Sequence, residues 1–242
     1  MVRDVSELIN IMGIPFNNLS KQDLIDNITA SDTGKNLIVT ANPEIVMEAR
    51  NNLGYKNSIT KSDYIIADGI GIIIASKLLK QPLPERIPGY ELMMTMIEYA
   101  SKNQKSCYFL GASEEVNQAA VRKLKEKFPE LIIAGHHHGF FKLDDESIVN
   151  DVRKTQPDFV FVALGMPRQE QWIANNIDSF SKGVFMGVGG SFDVVAGEVQ
   201  RAPEIWIKLN LEWLYRLIKQ PSRFKRILKV FEFIFRMIIR KY

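Results

Sequence analysis

Asp68 stands in Ala67-Asp68-Gly69-Ile70-Gly71, directly behind a short apolar run. A carboxylate at that point has two uses. It can cap a helix that starts at Ile70, or it can take a proton from a hydroxyl nucleophile as a general base. Arg86 follows in the proline-rich loop Pro82-Leu-Pro-Glu-Arg86-Ile-Pro-Gly89. A loop arginine is commonly a solvated charge, but one fixed by prolines beside a cleft is a clamp for phosphate. Asn42-Pro43 reads as a helix N-cap followed by proline at the first helical position. Glycine-rich breaks recur at Gly111-Ala-Ser113, at Gly165-Met-Pro-Arg-Gln169-Glu170 and at Gly187-Val-Gly189-Gly190-Ser-Phe-Asp193. Glycines let backbone approach a ligand, and helix N-termini present free N–H groups to an anion, so a nucleotide diphosphate suits such a rim. The Gly189-Gly190 turn and Asp193 are the candidates for holding the nucleotide.

Other chemistries are disfavoured. His136, His137 and His138 are consecutive, so on extended chain their side chains alternate between faces. No second Cys/His cluster would complete a zinc site, and no Asp-x-Asp occurs for a divalent cation. Neither metal nor cofactor is expected. The chain lacks Gly-x-Ser-x-Gly and the P-loop motif, which argues against hydrolases and nucleotidases built on them. Gly187-Val-Gly-Gly departs from the dinucleotide fingerprint because residue 192 is Phe, and no helical pattern opens clearly there.

These residues need a frame that places them together. Short apolar runs at 37–41, 64–67, 107–110, 131–134, 159–164 and 184–188 have the length and composition of buried strands. Helical patterns lie between them at 43–52, 70–79, 90–103, 114–128, 145–154 and 168–176. The alternation predicts an α/β, Rossmann-like fold: a mostly parallel sheet with helices on both faces. Ligands of such folds bind beyond the C-terminal strand ends, which is where the residues named above fall.

The chain's positive charge is concentrated at one end. Residues 201–242 hold eleven Lys/Arg against three acids, a net +8; the preceding 200 hold twenty against twenty-five, a net −5. A helix over 203–219 would carry the stripe Trp206, Leu209, Trp213, Leu214 and Leu217. A second over 222–242 would place Arg226, Lys229, Arg236 and Arg240 on one side with Phe233. Phe224, Ile227, Leu228, Phe231, Ile234, Phe235 and Ile238 would lie on the other. The expected organisation is a catalytic domain over 1–200 and a basic amphipathic helical appendage over 201–242. Spanning a bilayer takes about 20 mostly apolar residues, and Glu232 and Arg236 interrupt this stretch. Such a basic amphipathic pattern fits an anionic membrane surface. It also fits a helix pair packed on the domain, or a contact between subunits of a homo-oligomer. Nucleic acid is disfavoured by the acidic body. The one cysteine, Cys107, lies in an apolar run and should be buried. With no apolar leader at the start, the expectation is a cytoplasmic protein, peripheral on the inner face of the cell membrane.

Taken in order, the motifs Thr40-Ala-Asn-Pro-Glu44, Ala67-Asp-Gly-Ile-Gly71, Pro82-Leu-Pro-Glu-Arg86, Phe161-Val-Ala-Leu-Gly165 with Pro167-x-Gln-Glu170 and Trp172, and Gly187-Val-Gly-Gly-Ser-Phe-Asp193 with Gly197 and Arg201-Ala-Pro203 resemble the WecG/TagA/CpsF glycosyltransferases. Glu212-Trp-Leu-Tyr-Arg216 with residues 221–226 resembles the branch of that family that works in wall teichoic acid synthesis. The resemblance implies an inverting, metal-independent transfer of N-acetylmannosamine from UDP to the 4-hydroxyl of undecaprenyl-diphosphate-linked N-acetylglucosamine, in β-1,4 linkage. It implies Asp68 as general base with Thr40 close by. Asn42, Arg86 and Gln169 would meet the donor sugar or its phosphates, and Arg216, Arg223 and Arg226 would close over the diphosphates. Two alternatives stay open: another UDP-sugar donor (N-acetylmannosaminuronic acid, glucose or galactose), or a non-catalytic nucleotide-binding module held at the membrane.

Overall fold

The computed structural model describes residues 7–30, 34–221 and 224–239. Six strands form an all-parallel sheet: β3 (Lys35–Ala41), β4 (Tyr64–Ala67), β5 (Ser106–Gly111), β6 (Ile132–His137), β7 (Phe159–Ala163) and β8 (Gly183–Gly187). Their order is β4-β3-β8-β7-β5-β6. All six were legible as apolar runs, and the α/β class is the one expected.

Alternation along each strand sends successive side chains to opposite faces. Leu37, Val39, Tyr108, Leu110, Val160 and Phe185 join one core cluster. Ile38, Cys107, Phe109, Phe161 and Met186 join the other. The first core is covered by α2 (Pro43–Asn51), α3 (Leu53–Thr60), α4 (Ile70–Leu78), α7 (Glu146–Thr155) and α8 (Arg168–Asn176). The second is covered by α1 (Lys21–Thr29), α5 (Gly89–Lys102), α6 (Glu114–Lys127) and α9 (Ser191–Ala196). Cys107 is fully buried, as expected.

Several details differ from the sequence reading. A small antiparallel hairpin, β1 (Leu8–Ile11) and β2 (Ile14–Asn17), precedes the sheet; its four-residue strands are too short to show a clear period. It covers the edge of the sheet, where Ile65 N–H of β4 donates to Asn17 Oδ1 at 2.7 Å. A helix, α9, does open after Gly190, but six residues give no visible periodicity. The single helix expected over 203–219 is two: α10 (Glu204–Lys208) and α11 (Glu212–Lys219). They are broken at Asn210, whose φ of 58° is left-handed and so ends a right-handed helix.

The final helix, α12 (Phe224–Ile238), lies against α2 and α4. Phe233 does not share a solvated basic side. It is 0% exposed and sits in the first core with Met237 and, at the margin, Ile234. The helix therefore has three sectors: Phe233, Ile234 and Met237 inward; Lys229 and Arg236 paired with Glu48 and Glu232; and Phe224, Leu228, Phe231, Phe235 and Ile238 exposed. Two sectors were expected because the pattern shows which residues are apolar, not which apolar side meets the body.

Candidate active site

The site forms where β3 and β4 end side by side. Asp68 N–H donates to Ala41 O at 2.9 Å, carrying the β3–β4 ladder one residue past the strand. Asn42 caps α2, its Oδ1 accepting from Ile45 N–H at 3.0 Å, with Pro43 at the first helical position. Asp68 caps nothing. The N-cap of α4 is Gly69, at φ 105°, a conformation that only glycine adopts without strain. The carboxyl group is thus left for the cleft. Ile87 N–H donates to Ala67 O at 2.8 Å and folds the proline-rich loop back over the end of β4. That turn delivers Arg86, with Nε 4.0 Å from Asp68 Oδ1, and the first N–H of α5, from Gly89 to Asp68 Oδ2 at 3.3 Å. Thr40 completes the cluster: a side-chain carbon on Gly89 would stand 3.0 Å from Thr40 Oγ1, so the glycine is what lets them approach.

The Asp68 carboxyl is pushed up to about 6. Burial is the largest cause, opposed by the Arg86 guanidinium and the Gly89 N–H. It is therefore an anion at neutral pH with more basicity than an ordinary carboxylate. A pKa near working pH is what a general base needs.

The segment after residue 200 closes one side of this cluster. Arg86 Nη1 donates to Asn210 Oδ1 at 3.3 Å, and Arg86 Nη2 to Glu212 Oε2 at 3.0 Å. Arg216 Nη2 donates to the other Glu212 oxygen at 2.5 Å. Arg201 lies over the Tyr90 ring, 4.6 Å from its centroid, and pairs with Glu91. Sequence reasoning picked out Arg86 and Arg216 but not Asn210 or Glu212 as their partners. The i, i+4 spacing of Glu212 and Arg216 was the available signal.

The other sequence candidates lie along the same rim or off it. Gln169 is buried on α8; its Oε1 accepts from Gly189 N–H at 3.0 Å, and its Nε2 donates to Glu170 Oε1 at 2.7 Å. Both ends of this amide are engaged within the protein, so here it holds the Gly189 turn. Burial pushes Glu170 up to about 7. Gly165 and Gly189 face open space where a side chain would stand, and Gly190 adjoins Asp193 in the first turn of α9. Arg226 is exposed on the first turn of α12, and no described contact joins it to Asp68. Arg223 lies outside the described residues. The histidines serve local structure: His136 Nδ1 meets Asn117 Oδ1 at 2.9 Å, and His138 Nδ1 accepts from Phe140 N–H at 3.1 Å. Among the described residues no three His, Cys, Asp or Glu side chains are grouped to hold a metal. No helix among them is long and apolar enough to cross a membrane.

Comparison with known proteins covers the same span of chain. A sequence profile described as the Glycosyl transferase WecG/TagA/CpsF family matches residues 9–242. Proteins of Staphylococcus aureus strains MW2 and MRSA252, both named N-acetylglucosaminyldiphosphoundecaprenol N-acetyl-beta-D-mannosaminyltransferase, are each 41% identical over 233 residues. The alignments cover 95% of this chain and 91% of each relative. The match spans the sheet, the cluster at its C-terminal edge and the helices after residue 200, and this chain belongs to the WecG/TagA/CpsF family of glycosyltransferases.

Proposed function

We propose that this glycosyltransferase moves N-acetylmannosamine from UDP to the 4-hydroxyl of undecaprenyl-diphosphate-linked N-acetylglucosamine, with inversion, in wall teichoic acid synthesis. The observation that carries the reading is the Asp68 carboxyl: free of the cap position of α4, raised to about 6, and within reach of Arg86 and the α5 N-terminus. In this reading Asp68 takes the proton of the acceptor hydroxyl as that oxygen attacks the anomeric carbon from the face opposite UDP. The C–O bond to UDP breaks, and its electron pair leaves on the diphosphate. Arg86 and Arg216 offset the charge developing there, the task a divalent cation performs in other transferases. Thr40 orients the acceptor beside Asp68. Asn42 shapes the start of α2 beneath the sugar. Gln169 holds the Gly189-Gly190 turn for the nucleotide, with Gly165 and Asp193 beside it.

The acceptor is a lipid, and the exposed residues on α10 to α12 fit that. Ile205, Leu209, Ile218, Phe224, Phe231 and Phe235 are all exposed, in a stretch rich in Lys and Arg. A peripheral contact with an anionic inner leaflet would cover them.

Asp68→Asn tests the reading. UDP release with UDP-N-acetylmannosamine and a lipid-diphosphate-N-acetylglucosamine analogue, in EDTA, should fall by about 10²–10⁴-fold, with UDP binding retained. Wild-type kcat/KM should decline as pH falls through about 6, where Asp68 becomes protonated. Undiminished turnover in the variant would remove Asp68 from the role. Release with a different UDP-sugar only would keep the mechanism and change the donor.

A further inference from the structure

Arg86, the candidate phosphate clamp, is already engaged. Glu212 lies between two guanidinium groups, with Arg86 on Oε2 at 3.0 Å and Arg216 on Oε1 at 2.5 Å. The Arg86 and Glu212 side chains are only 14% and 13% exposed. A carboxylate with one guanidinium on each oxygen reproduces what two phosphate oxygens of a diphosphate would present to the same arginines. One donor of the clamp is left over: Arg86 Nε is buried and makes no hydrogen bond.

The helix that carries Glu212 is lightly held. Neither α10 nor α11 has a buried residue. Their tie to the Asp68 cluster runs through Asn210 and Glu212. A segment secured by polar contacts, with little buried apolar area, is the kind that opens locally at low cost. Burial pushes Glu212 up, but Arg216 and Arg86 outweigh it and hold the carboxyl below its ordinary range. It is thus an anion at neutral pH, bound where anions are to bind.

We propose that Glu212 stands in for the substrate diphosphate in the empty enzyme, and that the diphosphate binds by displacing it from Arg86 and Arg216. This rests on the donor reading above. The stand-in keeps two arginines paired and correctly aimed while the site is empty. It also sets a threshold for entry. UDP brings the charge of two phosphates to the two arginines, whereas UMP brings that of one. Glu212 is therefore a specificity-determining residue that favours diphosphates.

The experiment is calorimetric titration of UDP, UMP and inorganic pyrophosphate into wild type, Glu212→Gln and Glu204→Gln. Glu204 is exposed on α10 and pairs only with Lys208 among the described contacts, so it controls for loss of one negative charge. Glu212→Gln should bind UDP and pyrophosphate about tenfold more tightly, the gain from removing a competing bound state, and should discriminate less against UMP. Glu204→Gln should match wild type. Weaker or unchanged UDP binding by Glu212→Gln, with an unchanged thermal midpoint, would overturn the proposal. An equal gain in both variants would reduce it to net charge and overturn it as well. Pyrophosphate binding tightened in Glu212→Gln, with no UDP binding by any form, would leave the stand-in intact and sink the donor reading instead.

Discussion

α11 and α12 arise from one basic, apolar-rich stretch and carry the same amphipathic signature, yet the fold uses them in opposite ways. α12 places Phe233 and Met237 in the core beside α2 and α4. α11 has no fully buried residue and meets the body through Glu212 on Arg86. Apolar burial is non-directional and always on, whereas a carboxylate between two guanidinium groups can be exchanged for another anion. The difference teaches that attachment and adjustment are divided between neighbouring helices. α12 secures the stretch, and α11 is left free to respond at the cluster around Asp68.

Three measurements would break or sharpen that division. The largest effect is expected from Phe233→Ala, which should cost about 3–5 kcal/mol in denaturant unfolding because it opens a cavity in the main core. Acid should act next, and on α11 alone. The Glu212 carboxyl titrates below its ordinary value, so its contribution is present at neutral pH and is lost as pH falls through that depressed value. Hydrogen exchange should show α11 losing protection there while α12 keeps it; simultaneous loss would mean the two helices form one unit. The smallest stability effect belongs to Trp213→Ala on α11. Trp213 is 37% exposed and touches Phe231 edge-on, so its loss should cost under about 1 kcal/mol. It should nonetheless weaken retention on anionic vesicles, which Phe233→Ala should leave alone while folded.

The sequence made the sheet readable because its strands, apart from the edge strand β6, are buried along most of their length and appear as apolar runs. It did not reveal β1 and β2, or α9, which are too short to establish a period. Nor did it separate α10 from α11, because the break depends on one left-handed asparagine that composition does not mark. At the site, Asp68 was visible from its motif, but its use was not. Capping and base catalysis demand the same residue type, and only the backbone at Gly69 decides that the cap is vacant of Asp68. Glu212 was less legible still. Its partner Arg86 lies 126 residues earlier, a pairing that no local pattern encodes. Phe233 was misplaced for the same reason, since the surface it meets is built from α2 and α4.

The position of α12 also bears on how the protein comes into being. Lys229 reaches Glu48 across 181 residues, and Phe233 closes a core begun by Leu37 and Ile45. During synthesis the surface of α2 and α4 that α12 covers must therefore stay open until nearly the whole described chain has been made. Contacts of such sequence separation slow folding and lengthen the exposure of sticky intermediates. A nascent chain halted before residue 233 would have its Asp68 but not its finished core, which makes that interval the one in which a chaperone has most to protect.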